Sequence, residues 1–165
     1  MTQGRIIEIS EQGDPEVMEV RSQTFSDPGE GEVLIHQKAL GMNFLDVYHR
    51  SGVYPLSMPS GVGTEAAGVA AKVGANVVEF KEGDRVAYGG GLPGGYADYR
   101  NMPADRIVSI PDDVTYEQAA TSLMKGMTVE YLLERVYPVQ ARQWVLFFAA
   151  AGGVGLIAGQ WGRSI

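Results

Sequence analysis

The stretch spanning residues 144–162, WVLFFAAAGGVGLIAGQWG, constrains this chain more than any other part of it. Residues 144–148 form an uninterrupted apolar run of strand length, the pattern of a parallel strand covered on both faces. Residues 149–155 make a turn of small side chains. Behind it Val154, Ile157, Ala158 and Trp161 recur at helical spacing. Strand, small-residue turn and helix is the first half of a βαβ unit. In such a unit the helix N-terminus offers unpaired N–H groups and a positive dipole end to a pyrophosphate.

Read as G-x-G-x-x-G, the window 150–155 has Ala150 in place of the first glycine. Gly152 still lets backbone approach a phosphate, and Gly155 lets the helix pack closely on its strand. A glycine-rich turn of this kind can equally be tight packing alone. The acidic residue that binds a ribose hydroxyl, expected about 20 residues further on, would fall beyond Ile165. Gly159 and Gly162 lie inside the helix, where each costs about 0.5–1 kcal/mol relative to alanine.

Composition removes several function classes. The net charge is −7 and no lysine/arginine run occurs, which disfavours a nucleic-acid partner. No apolar run reaches the roughly 18 residues of a membrane span, and no signal-peptide core opens the chain. Without cysteine there is no disulfide, thiolate nucleophile or zinc–thiolate site. His36 and His49 are the two histidines, and they lie in different elements, so a metal site is not expected. A soluble cytoplasmic protein is the expectation.

Ahead of the nucleotide motif the chain is rich in short strand candidates: 5–9, 17–20, 32–40, 68–73, 85–88, 96–100 and 107–110. Gly/Pro turns separate them, the pattern of a compact β-barrel or sandwich of about 110 residues. In 32–40, Val33, Ile35 and Gln37 face one way, while Leu34, His36 and Lys38 face the other. Residues 43–50 predict a short helix capped by Asn43. After Pro111 the texture turns helical. Thr115 and Gln118 fit a capping box, and Ala119, Ala120, Leu123 and Met124 give an apolar stripe. Lys125-Gly126 is expected to break that helix before a second one carrying Val129, Leu132, Leu133 and Val136.

Asn43, Asp46, Tyr48, His49, Arg50 and Tyr54 form the densest polar and aromatic cluster. A site for a small carbonyl compound would use such groups. A tyrosine hydroxyl, with a reference pKa of about 10, donates to a carbonyl oxygen without titrating at pH 7. An amphipathic turn with its aromatics packed inward has the same composition. Glu65 stands among small residues, either as a buried, functionally tuned acid or as a loop hydrogen-bond acceptor. Thr128 could present its hydroxyl to a ligand or cap a helix start.

Taken together, the motifs Gly41-Met-Asn43-Phe-Leu-Asp46-Val-Tyr48, Ser51-Gly-Val-Tyr54-Pro55, Gly63-Thr-Glu65-Ala-Ala-Gly68, Gly83-Asp-Arg-Val86, Lys125-Gly-Met-Thr128 and Ala149-Ala-Ala-Gly-Gly-Val-Gly155 resemble one family in order and spacing. It is the zinc-independent quinone oxidoreductases (zeta-crystallin-like) of the medium-chain dehydrogenase/reductase superfamily, and the resemblance covers the N-terminal part of such proteins. It implies a mixed α/β chain: a GroES-like β-barrel catalytic domain over residues 1–124, then a linking helix and the first βα unit of a Rossmann domain, incomplete, over 125–165. It implies hydride transfer from NADPH to quinones, and a homodimer for a complete member. Asn43, Tyr48 and Tyr54 would be the catalytic residues at the quinone and nicotinamide, supported by Asp46 and Glu65. Lys125, Gly126, Met127 and Thr128 would contact the nicotinamide side, and Ala151, Gly152, Gly153 and Val154 the pyrophosphate. Where zinc-dependent relatives carry metal ligands, Asn43 and Thr64 stand. Phe147-Phe148 departs from the polar or histidine residues common there. The alternatives are an NADPH-dependent reductase of activated alkenes, with the same type of site, and a truncated, non-catalytic GroES-like module.

Overall fold

Alternating side chains and frequent glycine turns make the first two-thirds of the chain a set of antiparallel strands. A computed structural model describes residues Met1–Ile165. In chain order the elements are β1 (Thr2–Ile9), β2 (Met18–Phe25), β3 (Glu32–Gly41), α1 (Phe44–Ser51), β4 (Ser60–Gly61), β5 (Glu65–Val73), β6 (Arg85–Gly89), β7 (Tyr99–Pro103), β8 (Val108–Ser109), α2 (Tyr116–Glu130) and α3 (Gly153–Ser164). They fall into two compact units, Met1–Thr121 and Ser122–Ile165. No helix is long and apolar enough to cross a membrane.

In the first unit three strands pair as β2-β1-β4 and five as β7-β3-β5-β6-β8. The strand expected over 96–100 begins later, at Tyr99, because residues 96–98 bridge the two sheets instead. Ile7 N–H donates to Tyr96 O (2.8 Å), Asp98 N–H to Arg5 O (2.8 Å), and Gln37 N–H to Asp98 O (2.9 Å). That bridge joins the sheets into a partly closed barrel. Val33, Ile35, Ala66, Ala70, Val86, Tyr88, Met102 and Ile107 fill it. β3 departs from simple alternation: Leu34, expected on the polar face, is buried with Phe25 and Ala97 on the far side. His36, on the same face, is half-buried and stacks on Tyr99 with ring centroids 4.6 Å apart.

The capping box at the start of α2 is formed: Thr115 N–H donates to Gln118 Oε1 (2.8 Å) and Gln118 N–H to Thr115 Oγ1 (3.1 Å). The expected break at Lys125-Gly126 is absent. α2 runs through it to Glu130 and continues as a π-helical segment, Tyr131–Val136. One interior glycine costs about 1 kcal/mol, and the helix-favouring Met124, Lys125 and Met127 around it outweigh that. In the second unit Val129, Leu133 and Ala158 form a small core, with Phe147, Val154, Ile157 and Trp161 packed against it.

Residues 144–147 form no strand, contrary to the apolar pattern. A strand needs a neighbour to complete its hydrogen bonds, and none lies beside this segment. Helix α3 forms as expected, with Gly159 and Gly162 inside it.

Candidate functional site

Asn43 is extended (φ −130°, ψ 150°) and starts α1 as its cap. Its N–H donates to Asp46 Oδ2 (2.9 Å), while Asp46 N–H returns to Asn43 O (3.0 Å). Asp46 is buried and gathers two more donors, the Tyr96 hydroxyl (2.7 Å) and Thr64 Oγ1 (3.3 Å). Burial, and then the hydrogen bond to Asp46, hold the Tyr96 hydroxyl well above the usual tyrosine range. The approach of Tyr96 depends on Gly63, whose φ is +88°. A Cβ there would lie 2.2 Å from the Tyr96 ring.

Glu65 opens β5 with no exposed surface, and its Oε2 accepts from Asn43 Nδ2 (2.8 Å). Glu65 is thus a buried acceptor at a strand start and not in a loop. That bond orients the half-buried Asn43 side chain at the entry of α1.

The tyrosines differ. Tyr48 and Tyr54 are partly exposed, and their rings meet edge-on at 5.5 Å; Phe44 packs edge-on against Tyr48 at 5.1 Å. Gly52 ends α1 in the left-handed conformation (φ +88°), turning the chain so that Tyr54 N–H reaches Tyr48 O (3.1 Å). Gln12 clamps the hairpin, its Nε2 donating to His49 O (2.7 Å) and Tyr54 O (2.9 Å). Gln12 and Tyr96 are the positioning residues that the sequence does not reveal. Both act across long separations, and no local pattern marks them. The result is a rigid pair of phenol rings on a braced helix–loop, with an aromatic and aliphatic surround.

In the second unit, the first bond of α3 runs from Leu156 N–H to Gly152 O (2.9 Å). The N–H groups of Gly153, Val154 and Gly155 consequently have no intrahelical acceptor. A Cβ on Gly153 would lie 2.8 Å from Lys125 Cδ, and one on Gly155 would lie 2.5 Å from Ala150 Cα. This bare-backbone cradle fits an anionic phosphate chemically. Ala151 and Gly152 are exposed before it, and Lys125 lies with its stem against Gly153. The Lys125-Gly126-Met127 turn does not exist; all three are helical. Thr128 lies inside α2 and caps no helix start; it is exposed, and its hydroxyl donates to Met124 O (2.9 Å).

No three His, Asp or Glu side chains converge as metal ligands would. Asn43 and Thr64, at the positions corresponding to ligands, spend their polar atoms on Glu65 and Asp46. The purified protein should therefore carry no stoichiometric zinc by elemental analysis; one tightly held zinc per chain would overturn that expectation.

A family model described as the alcohol dehydrogenase GroES-like domain matches residues 29–112. The chain is 48% identical over 160 residues to quinone oxidoreductase 1 of Escherichia coli K12, covering 96% of this chain and 49% of that protein. It is 37% identical over 163 residues to a 2-haloacrylate reductase of Burkholderia, covering 95% and 49% respectively. A solved structure of the Escherichia coli quinone oxidoreductase complexed with NADPH superposes with a TM-score of 0.95 at 47% identity, covering 97% of this chain and 49% of that one. The chain thus spans about half the length of the curated relatives it matches. The chain belongs to the alcohol dehydrogenase GroES-like domain family.

Proposed function

We propose that these residues supply the acceptor side and the phosphate turn of an NADPH-dependent quinone oxidoreductase that works without zinc. The observation that carries this reading is the Tyr48–Tyr54 pair, two partly exposed phenols held by Gln12 and by the Asp46-anchored helix. Tyr48 and Tyr54 hydroxyls donate to the quinone oxygens, and Phe44 packs edge-on against Tyr48 beside them. Asn43, Asp46 and Glu65 fix α1. Ala151, Gly152, Gly153 and Val154 receive the pyrophosphate through backbone, with Lys125 beside them. Gly126, Met127 and Thr128 belong to the helix on the nicotinamide side. When bound, NADPH supplies the hydride; the protein's contribution is alignment and exclusion of water. A chain of the relatives' full length is expected to be a homodimer acting in the cytoplasm.

The test is a chimaera joining these 165 residues to the remaining half of the Escherichia coli relative. It should oxidise NADPH with a quinone acceptor. Tyr48→Phe should lower quinone turnover about tenfold while NADPH affinity stays nearly unchanged, since the lost hydroxyl touches the acceptor and not the phosphates. Equal loss of cofactor binding, or undiminished turnover, would count against the role. The 2-haloacrylate reductase relative favours activated alkenes as a second reading. Product analysis with a quinone and an enal separates the two.

A further inference from the structure

Besides Asp46, Thr64 and Glu65, one further polar side chain is buried: Gln37 on β3, 8% exposed. Its carboxamide spends both N–H groups on one short segment, Nε2 donating to Gly95 O (3.0 Å) and to Ala97 O (2.6 Å). Its Oε1 accepts from the hydroxyl of the buried Tyr88 (2.5 Å), so the amide has a single orientation. Arg100 completes the network. Its Nη1 donates to the Tyr88 hydroxyl (3.4 Å), its guanidinium lies 5.0 Å from the centre of the Tyr88 ring, and its Nη2 donates to Leu92 O. The two carbonyls held by Gln37 flank Tyr96. Gly95 also meets Gly63: its N–H donates to Gly63 O (2.8 Å), and a Cβ on it would lie 2.9 Å from Gly63 C. Tyr96 N–H donates to Val62 O (2.8 Å), and its hydroxyl to Asp46 Oδ2 (2.7 Å).

We infer that Gln37 is a positioning residue for the acceptor side: it sets Tyr96, Tyr96 holds the Asp46 carboxylate, and Asp46 fixes the helix that carries Tyr48. Holding the carbonyls before and after Tyr96 fixes the direction in which its side chain leaves the backbone. The phenol then meets the carboxylate in a strong, charge-assisted hydrogen bond. A buried polar network whose members are satisfied specifies one arrangement, and a partly satisfied one loosens. Gln37→Leu keeps the bulk of the side chain and removes the clamp. Gly95 O, Ala97 O and the Tyr88 hydroxyl each lose a partner, and nothing else in the barrel replaces the bond between Gln37 and the segment around Tyr96. The inference rests on the oxidoreductase reading only in taking Tyr48 as the group that faces the acceptor.

Amide exchange in the 165-residue protein follows the relay without any activity. The Asn43 N–H is protected by Asp46 Oδ2, and the Tyr96 N–H by Val62 O. In Gln37→Leu both should exchange at least about tenfold faster, while the amides of the β3–β5 ladder change less. Equal acceleration everywhere is a loss of global stability alone and overturns the inference. In the chimaera, Gln37→Leu should lower kcat/KM for the quinone about tenfold and leave the KM for NADPH unchanged. Tyr96→Phe should do the same, and the double variant should be no worse than Tyr96→Phe alone, because both break one relay. Additive losses, or an unchanged kcat/KM for the quinone, overturn the inference. Tyr88→Phe keeps the ring and frees Gln37 Oε1, with an expected loss of about threefold. It takes the place of Gln37→Leu in the same cycle if that variant does not fold. An unsubstituted chimaera without quinone turnover counts against the oxidoreductase reading, and the exchange pattern then decides on the relay by itself.

Discussion

Asp46→Ala should destabilise the first unit by about 3 kcal/mol, lowering its melting temperature by roughly 10 °C. Three donors converge on this buried carboxylate: the Asn43 N–H, the Tyr96 hydroxyl and the Thr64 hydroxyl. Removing it takes an acceptor from each of the three, and a buried group left unsatisfied costs about 1–3 kcal/mol before any water enters. Asp46→Asn should lose less. Its carboxamide oxygen can still accept, but its NH2 faces a donor. Trp144 and Trp161 both lie in the second unit, so tryptophan fluorescence reports there, while six of the eight tyrosines lie in the first and weight tyrosine circular dichroism towards it. A loss below about 1 kcal/mol in denaturant titration would show that Asp46 does not organise α1. The consequence for function is direct, since Tyr48 is carried on the same helical turn that Asp46 fixes.

The second large effect concerns the cofactor. The 165-residue chain on its own should show no saturable NADPH binding in the micromolar range. The cradle of Gly153, Val154 and Gly155 is present, but the residues leading into it are unsupported by any neighbouring strand. A ligand must then immobilise the turn as it binds, and that ordering cost subtracts from the contacts the helix end can make. The acidic residue for the ribose, placed about 20 residues after the fingerprint, is also not among these residues. Titration by nicotinamide fluorescence, with the monomer verified by sedimentation, checks this. A micromolar dissociation constant there would sink the argument and show the turn to be pre-formed without its sheet.

Features governed by near neighbours were legible in the sequence. Asn43 caps α1, Thr115 and Gln118 form their box, and the turn of small residues leads into α3, because each depends on residues three or four apart. The β-rich first unit followed by helices was also legible, from period-two alternation, Gly/Pro punctuation and the change of texture after Pro111. Two local readings failed for physical reasons. Gly126 was too weak a breaker against its neighbours, and the Thr128 hydroxyl found a backbone acceptor one helical turn back.

Tertiary structure decided what the site residues do. The sequence marks Asn43, Asp46, Tyr48, Tyr54 and Glu65 as a set, yet it does not say which face inward. Folding turns Asn43 onto Glu65, 22 residues away, and brings Tyr96 to Asp46 across 50. It leaves Tyr48 and Tyr54 exposed, clamped by Gln12 from 37 to 42 residues off. Such pairings depend on sheet register and loop closure, which no window of neighbouring residues contains. The strand at 144–148 shows the converse. Its residues have every property of a buried parallel strand, but a strand is a relation between two segments, and hydrogen bonds cannot be completed by one. Sequence determined the apolar character of this segment; whether it is a strand is decided by what lies beside it.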